Sequence, residues 1–318
     1  MATATVSGFL DINNAGTPFD DLALKVWAGM VLEMYTKTSV TEGRHIQRTI
    51  SSGKSAQFPV LGSMGTVFHT RGNEVSFQQI GSNEIVISIQ DLLLAPLFID
   101  VLDEAKSHFD IRRPYAQQQG VALALAADLR VLMSYIEASR TGTGTITGSY
   151  GTPAGQQVTA ATVGTDASVL KGAIYDAAEI LDENNIPSMD RYVFLAPGQF
   201  YLLLQDGEFI DRDFVDAGNG DRSKAVMRNA ADFEVVKTNN MPSGDQTSNT
   251  DLPTALRNNY TTTVAVTGHK SAAGSVTLMG LKFEQEYDMN RQGHMLIAKY
   301  AKGFGYLRPE AAVELATA

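Results

Sequence analysis

Few residues of this chain stand at spacings that support chemistry. Gly53-Lys54-Ser55 is the tail of a phosphate-binding loop, in which backbone amides and a lysine cradle phosphates. That loop needs an earlier glycine at position 48, which is Arg48, and the residues on either side read as extended rather than strand-loop-helix. His45, His69, His108, His269 and His294 have no second ligand at the spacing of a zinc site, so they read as solvated or structural. The absence of cysteine excludes disulfides, thiolate nucleophiles and cysteine metal sites. No G-x-S-x-G elbow marks a serine hydrolase. Asp213, Asp216, Asn219 and Asp221 could offer oxygens to calcium, but their spacing misses the calcium-loop pattern and a solvated acidic turn is the simpler reading. Arg308, in Leu307-Arg308-Pro309-Glu310, lacks catalytic partners; it reads as a structural ion pair with Glu310 or as an intersubunit contact. The expectation is a protein that is not an enzyme and uses no cofactor or metal.

Composition narrows the partners. The 318 residues can bury a sizeable core, as one large domain or two medium ones. Lys and Arg number 25 against 35 Asp and Glu, a net charge of -10, so the surface as a whole repels nucleic acid. No basic leader precedes an apolar segment, and no apolar run approaches the ~20 residues of a membrane span, so a soluble protein made in the cytoplasm is expected. Charge is unevenly spread. Residues 41–72 hold Arg44, Arg48, Lys54 and Arg71 against Glu42, whereas 84–110 hold Glu84, Asp91, Asp100, Asp103, Glu104 and Asp110 against Lys106. Exposed pairs are weak singly, ~0 to 1 kcal/mol each, but a closed ring repeats each one in every copy. Two readings stay open: both stretches are simply solvated faces, or, if copies close into a ring, the basic stretch docks on acidic surface of an adjacent subunit.

These residues need elements to position them. Leu24, Trp27, Val31 and Tyr35 lie at helical spacing behind Asp20 and Asp21, and Trp27 reads as a core or interface anchor. Residues 47–61 read as extended, and Ile85, Ile87 and Ile89 mark a second strand. The resulting hairpin is punctuated by Gly62, Gly65, Gly72 and Gly81 and has little core of its own, so something outside must hold it. Leu97, Phe98, Val101, Leu102, Ala105 and Phe109 predict a helix opened by Pro96, with Asp100, Asp103 and Glu104 opposite. A longer helix from about Pro114 to Glu137 is expected to bury Val121, Leu125, Leu129, Leu132 and Ile136. Residues 139–165 read as loop, and Asp166 caps a helix carrying Leu170, Ile174, Ala177 and Leu181 that ends before Pro187. Strands are expected at 192–195, 233–236, 263–266, 276–286 and 294–300, with a short helix after Pro197.

Two strings, Arg48-Thr-Ile-Ser-Ser-Gly-Lys-Ser-Ala-Gln-Phe-Pro-Val-Leu-Gly62 and Ile297-Ala-Lys-Tyr-Ala-Lys-Gly-Phe-Gly-Tyr-Leu-Arg-Pro-Glu-Ala-Ala312, closely resemble segments of the major capsid protein of short-tailed, T-seven-like phages. Weaker echoes are Thr38-Ser-Val-Thr41, Ala126-Ala-Asp128 and Phe233-Glu-Val-Val236. The resemblance implies an α+β chain with the Hong Kong ninety-seven-like phage capsid fold: an N-terminal arm and helix (1–45), an extended hairpin loop laid over a neighbour (46–90), a peripheral domain with a spine helix (91–165), an axial domain (166–272) and peripheral return strands (273–318). It further implies hexamers and pentamers closing an icosahedral head around double-stranded DNA, with a portal protein, a decoration protein as a further candidate partner, and no membrane. No long, charged, helix-rich N-terminal extension is seen that could serve as a built-in scaffold, so a separate scaffolding protein is expected. The lysine-to-asparagine cross-link of the fold's founding member has no matching motif around Lys54 or elsewhere, and none is expected. Intersubunit contact candidates are Trp27, Arg44, Arg48, Lys54, Arg71, Asp100, Asp103, Glu104, Arg308 and Glu310. Alternatives are an encapsulin-like, cargo-enclosing nanocompartment shell, which has the same fold, and an acidic cytosolic enzyme, for which no set of pocket residues is evident.

Overall fold

The computed structural model describes residues 18–75, 77, 79–107, 112–147, 151–206, 220–221 and 226–318. In chain order they form α1 (Pro18–Thr38), β1 (Ile46–Thr49), β2 (Ser55–Leu61), β3 (Ser82–Ser88), β4 (Leu93–Asp100), α2 (Val101–Lys106), α3 (Arg112–Arg140) and β5 (Gln156–Thr159). Then come α4 (Ala167–Glu183), β6 (Arg191–Leu195), α5 (Pro197–Asp206), β7 (Gly220–Asp221), β8 (Val226–Met227), β9 (Asn229–Ala230) and β10 (Phe233–Lys237). The chain closes with β11 (Thr263–His269), β12 (Ala273–Asp288), β13 (Gly293–Tyr306) and β14 (Ala312–Ala316). The expected N-terminal arm and the acidic turn around Asp213, Asp216 and Asn219 lie outside the described residues. Contacts divide the chain into two units: residues 1–39, 91–127 and 279–302, and residues 40–90, 128–278 and 303–318.

In the first unit, α1 buries Trp27, Val31 and Tyr35 of the expected stripe, with Leu24 half-buried. The first half of α3 departs from expectation, because it buries Ala116, Gln119, Gly120, Leu123, Ala124 and Ala127 while Leu125 is exposed. Close approach of the two helices explains this. A Cβ at Gly120 would lie 2.5 Å from the Val31 carbonyl oxygen, so the side of α3 that carries Gly120 faces α1 and Leu125 is left on the exposed side. The buried Gln119 amide ties the layers together. It accepts from Trp27 Nε1 (2.9 Å) and donates to the carbonyls of Ala95 (2.9 Å) and Leu296 (3.2 Å).

The helix expected after Pro96 is also corrected. Residues 93–100 are strand β4, antiparallel to β13 with Leu93 opposite Tyr300 and Asp100 opposite Gly293, and only α2 follows as a helix. Leu93, Ala95, Leu97 and Ile99 alternate with the more exposed Leu94, Pro96 and Phe98, a period of two that the helical spacing obscured. Pro96 is tolerated because β4 is the outer strand of the order β12-β13-β4, where one missing N–H need not break a ladder. Val101 and Leu102, expected on a buried helix face, are exposed.

The second unit is built on a six-stranded sheet of order β5-β14-β11-β6-β10-β9, against which α4 packs. Asp166 caps α4 by accepting from Ser168 N (2.9 Å), and Leu170, Ala173, Ile174, Ala177 and Leu181 form its buried face. The second half of α3 is buried nearly all round, including Leu132, Tyr135 and Ile136. Residues 312–316 do not group with the return strands: β14 pairs antiparallel with β11 and parallel with β5, inside the six-stranded sheet. Every residue of β14 is buried, so it carries no alternation by which a strand could be recognised. The extended stretch before position 61 is likewise two strands, since β1 leaves the hairpin and pairs in parallel with the start of β12.

Candidate assembly interface

The hairpin of β2 and β3 runs in register from Ser55 opposite Ser88 to Leu61 opposite Ser82. Its base has a core within its own subunit, contrary to expectation: Ala56 and Ile87 are buried with Val276 and Leu307, and Ile46, Ile50, Phe58, Ile85 and Ile89 pack around them. Gly303 lets β13 pass the end of the hairpin, because a Cβ there would lie 2.3 Å from the Ser88 carbonyl oxygen. Lys54 accepts through its backbone carbonyl from Ile89 N (2.8 Å). Arg48 donates from Nη1 to the Gln57 carbonyl (2.6 Å) and stacks 5.7 Å above the Phe58 ring.

Beyond the base the hairpin changes character. Gly62 N donates to the Gly81 carbonyl (2.9 Å), and past that bond the chain carries Met64, Val67, Phe68, Val75 and Phe77, all exposed. Phe68 and Phe77 are 102% and 93% exposed, so both rings stand wholly in water. Isolated surface apolar residues are ordinary, but a run of large ones on one projecting segment marks a contact site. Sequence reading missed them because they have neither helical nor strand periodicity; the readable signal was large apolar residues inside a glycine-punctuated polar stretch.

The charged candidates separate by environment. Arg44 is engaged within its own unit: Nη2 meets Glu234 Oε1 (2.6 Å), Nη1 donates to the Val40 carbonyl (2.7 Å), and the guanidinium lies 5.4 Å over Tyr192. Arg308 Nε donates to Glu310 Oε1 (2.7 Å), and Glu310 is buried, so the structure contains the intrasubunit ion pair. Trp27 sits in the interior of the first unit. The Asp100 carboxylate accepts from Leu102 N (2.7 Å) at the start of α2. Lys54, Arg71 and Asp103 are exposed, and the Glu104 side chain lies outside the described residues.

Interior polar groups of the second unit serve the scaffold rather than a reaction. The Asp128 carboxylate accepts from Val40 N (2.9 Å), Thr41 N (3.3 Å) and Thr41 Oγ1 (2.6 Å), joining two short strings that are 87 residues apart in sequence. Arg44 reaches Glu234, in the third such string, across 190 residues. Glu314, wholly buried on β14, accepts from Arg140 Nε (2.8 Å) and Nη2 (2.7 Å), Gln157 Nε2 (2.6 Å) and Thr263 Oγ1 (2.6 Å). These bonds hold the Arg140 guanidinium above its ordinary pKa. Burial raises the Tyr135 hydroxyl, which donates to the Arg44 carbonyl (2.6 Å), and raises the Glu137 carboxyl against the hydrogen bonds from Asn258 and Tyr260. Among the described residues, no three His, Asp or Glu side chains cluster as a metal site.

Known proteins match this architecture. Residues 57–316 match the family described as Gp10A-like: Major capsid protein. The chain is 34% identical over 322 residues to the major capsid protein of Enterobacteria phage T3, covering 92% of this chain and 90% of that protein. It is 32% identical over 315 residues to the major capsid protein of Escherichia phage T7, with the same coverages of 92% and 90%. The capsid structure of Cyanophage P-SCSP1u aligns with a TM-score of 0.79 at 35% identity, over 100% of this chain and 99% of that one. The α+β arrangement is therefore the Hong Kong ninety-seven-like phage capsid fold, as the two sequence strings implied. A chain with a water-exposed apolar arm and an interior given over to structural hydrogen bonds has the makings of a building unit, and the matched sequence says of what: this protein belongs to the Gp10A-like family of major capsid proteins.

Proposed function

We propose that this capsid protein assembles as hexamers and pentamers into an icosahedral head enclosing double-stranded DNA, each subunit laying its hairpin arm on the next copy. The carrying observation is the exposure of Phe68 and Phe77. Covering two phenylalanine side chains contributes roughly 3 to 6 kcal/mol per arm before ordering costs, far more than one exposed ion pair. Apolar docking is thus the main term, and exposed Lys54 and Arg71 steer the arm toward acidic surface such as Asp103. Arg48 and Arg44 act within the subunit in this reading. A net charge of -10 suits a shell that contains DNA without adhering to it. The first unit corresponds to the peripheral domain and the six-stranded sheet of the second to the axial domain. The family resemblance supports a separate scaffolding protein, a portal protein and a decoration protein as partners, and assembly in the host bacterial cytoplasm.

The test is a pair of double variants, F68S/F77S and K54E/R71E, co-expressed with the neighbouring genes and followed by electron microscopy and light scattering. Subunit stability should stay within about 0.5 kcal/mol of the parent, since none of these side chains packs within the subunit. Closed shells should be lost in F68S/F77S and reduced in K54E/R71E. Normal shells from F68S/F77S would refute arm docking.

A further inference from the structure

The arm has a second support, well away from its base. Asn83 Nδ2 donates to the Thr145 carbonyl (2.8 Å), and Ile146 lies against Gly81, where an added Cβ would stand 2.8 Å from Ile146 Cγ2. Gly81 does not adopt a left-handed backbone, so its missing side chain serves this contact and not a turn. Ile146 is itself held firmly. Ile146 is 8% exposed, its N–H donates to Thr152 Oγ1 (3.1 Å), and its carbonyl accepts from Thr152 N (2.9 Å). Further along, Gly155 N donates to the Thr141 carbonyl (2.9 Å), returning the chain to the end of α3.

The seven-residue ribbon is thus gripped at Ala56 and Ile87 near one end and at Asn83 and the adjoining Gly81 at the other, about 13 to 20 Å apart at the rise of a β-strand. A ribbon held only at its base could swing, and its tip would sweep through the largest displacement. Two grips that far apart fix a direction.

We propose that Thr145 and Ile146 are positioning residues that aim the arm, setting the direction in which Phe68 and Phe77 are presented to the next copy. The consequence for shell building rests on the arm-docking reading above; the brace itself does not. The tests are G81A, which drives a methyl into Ile146; N83A, which removes the bond to Thr145; and G81A/I146A, which makes room for the new methyl. In the unassembled subunit, amide hydrogen exchange of residues 82–88 should quicken by about tenfold in G81A and N83A, the loss expected for one modest contact. Thermal unfolding should stay cooperative. Closed shells should become fewer or irregular in diameter in both, and G81A/I146A should recover them.

Unchanged exchange and normal shells in G81A and N83A would overturn the proposal, as would a G81A/I146A variant no better than G81A. If F68S/F77S builds normal shells, arm docking is what fails, and exchange in the unassembled subunit still decides whether the brace holds the ribbon.

Discussion

Removing one partner of the Arg140–Glu314 pair should cost much more than removing both. Glu314 is 0% exposed and Arg140 20% exposed at the side chain, and they meet at 2.7 Å. In R140M the carboxylate keeps the Gln157 and Thr263 donors but loses its counter-charge, and an uncompensated buried charge costs about 3 to 5 kcal/mol. In E314L the guanidinium keeps the Asn259 carbonyl (2.7 Å) and the Tyr260 ring (5.3 Å) and retains some access to water, placing this variant at or below about 3 kcal/mol. The double variant R140M/E314L replaces the pair by apolar groups of similar size and should fall within about 2 kcal/mol of the parent. A coupling of at least about 1 kcal/mol, and larger as E314L approaches its upper limit, follows from these differences. Urea unfolding of the unassembled subunit, followed by far-ultraviolet circular dichroism, is the suitable assay. Fluorescence is a poorer choice, because Trp27, the single tryptophan, belongs to the other unit. Additive single effects, or single losses below about 1 kcal/mol, would show that the pair is exchanged for water on folding at little net gain.

G120A should destabilise the first unit by about 1 to 3 kcal/mol, because the new methyl would meet the Val31 backbone at 2.5 Å and α1 would have to withdraw; a wild-type midpoint in thermal unfolding would contradict that contact. His269 gives a pH dependence of known sign. Burial, above all, holds its pKa below the ordinary 6.5, and Nδ1 already accepts from Ser271 N (3.2 Å). As pH falls below about 6.5 the unfolded chain takes up a proton that the folded one does not, so stability declines through that window and is recovered above it. The variant H269N should flatten the stability profile between pH 7.5 and 5.5 in urea titrations. An unchanged slope would assign the acid sensitivity elsewhere.

Much of the second unit was legible from sequence. The α4 stripe with its Asp166 cap, the β6 and β10 strands and the β2–β3 hairpin all follow from periodicity and turn residues, which local sterics impose on any chain. The errors have separate causes. Leu125 was expected inside from its helical spacing, yet Ala116, Gly120 and Ala124 took the buried side of α3 because α1 passes close there, and Val101 and Leu102 were misplaced because a helical spacing was read across the strand β4 that precedes them. β14 escaped notice because burial on both faces erases the alternation that marks a strand.

By itself the sequence determined the family, through long strings around positions 48–62 and 297–312, and it determined the absence of cysteine chemistry and the net acidity, because these depend on which residues are present and in what order. Only the tertiary structure decided which candidates are free to meet a neighbour. Arg44, Arg48 and Arg308 look like Lys54 and Arg71 in a string of letters, but the fold brings Glu234, the Gln57 carbonyl and Glu310 to the first three and leaves the other two exposed. A charge's partner is set by distance in space, and residues 190 apart in sequence become neighbours only when the chain has folded.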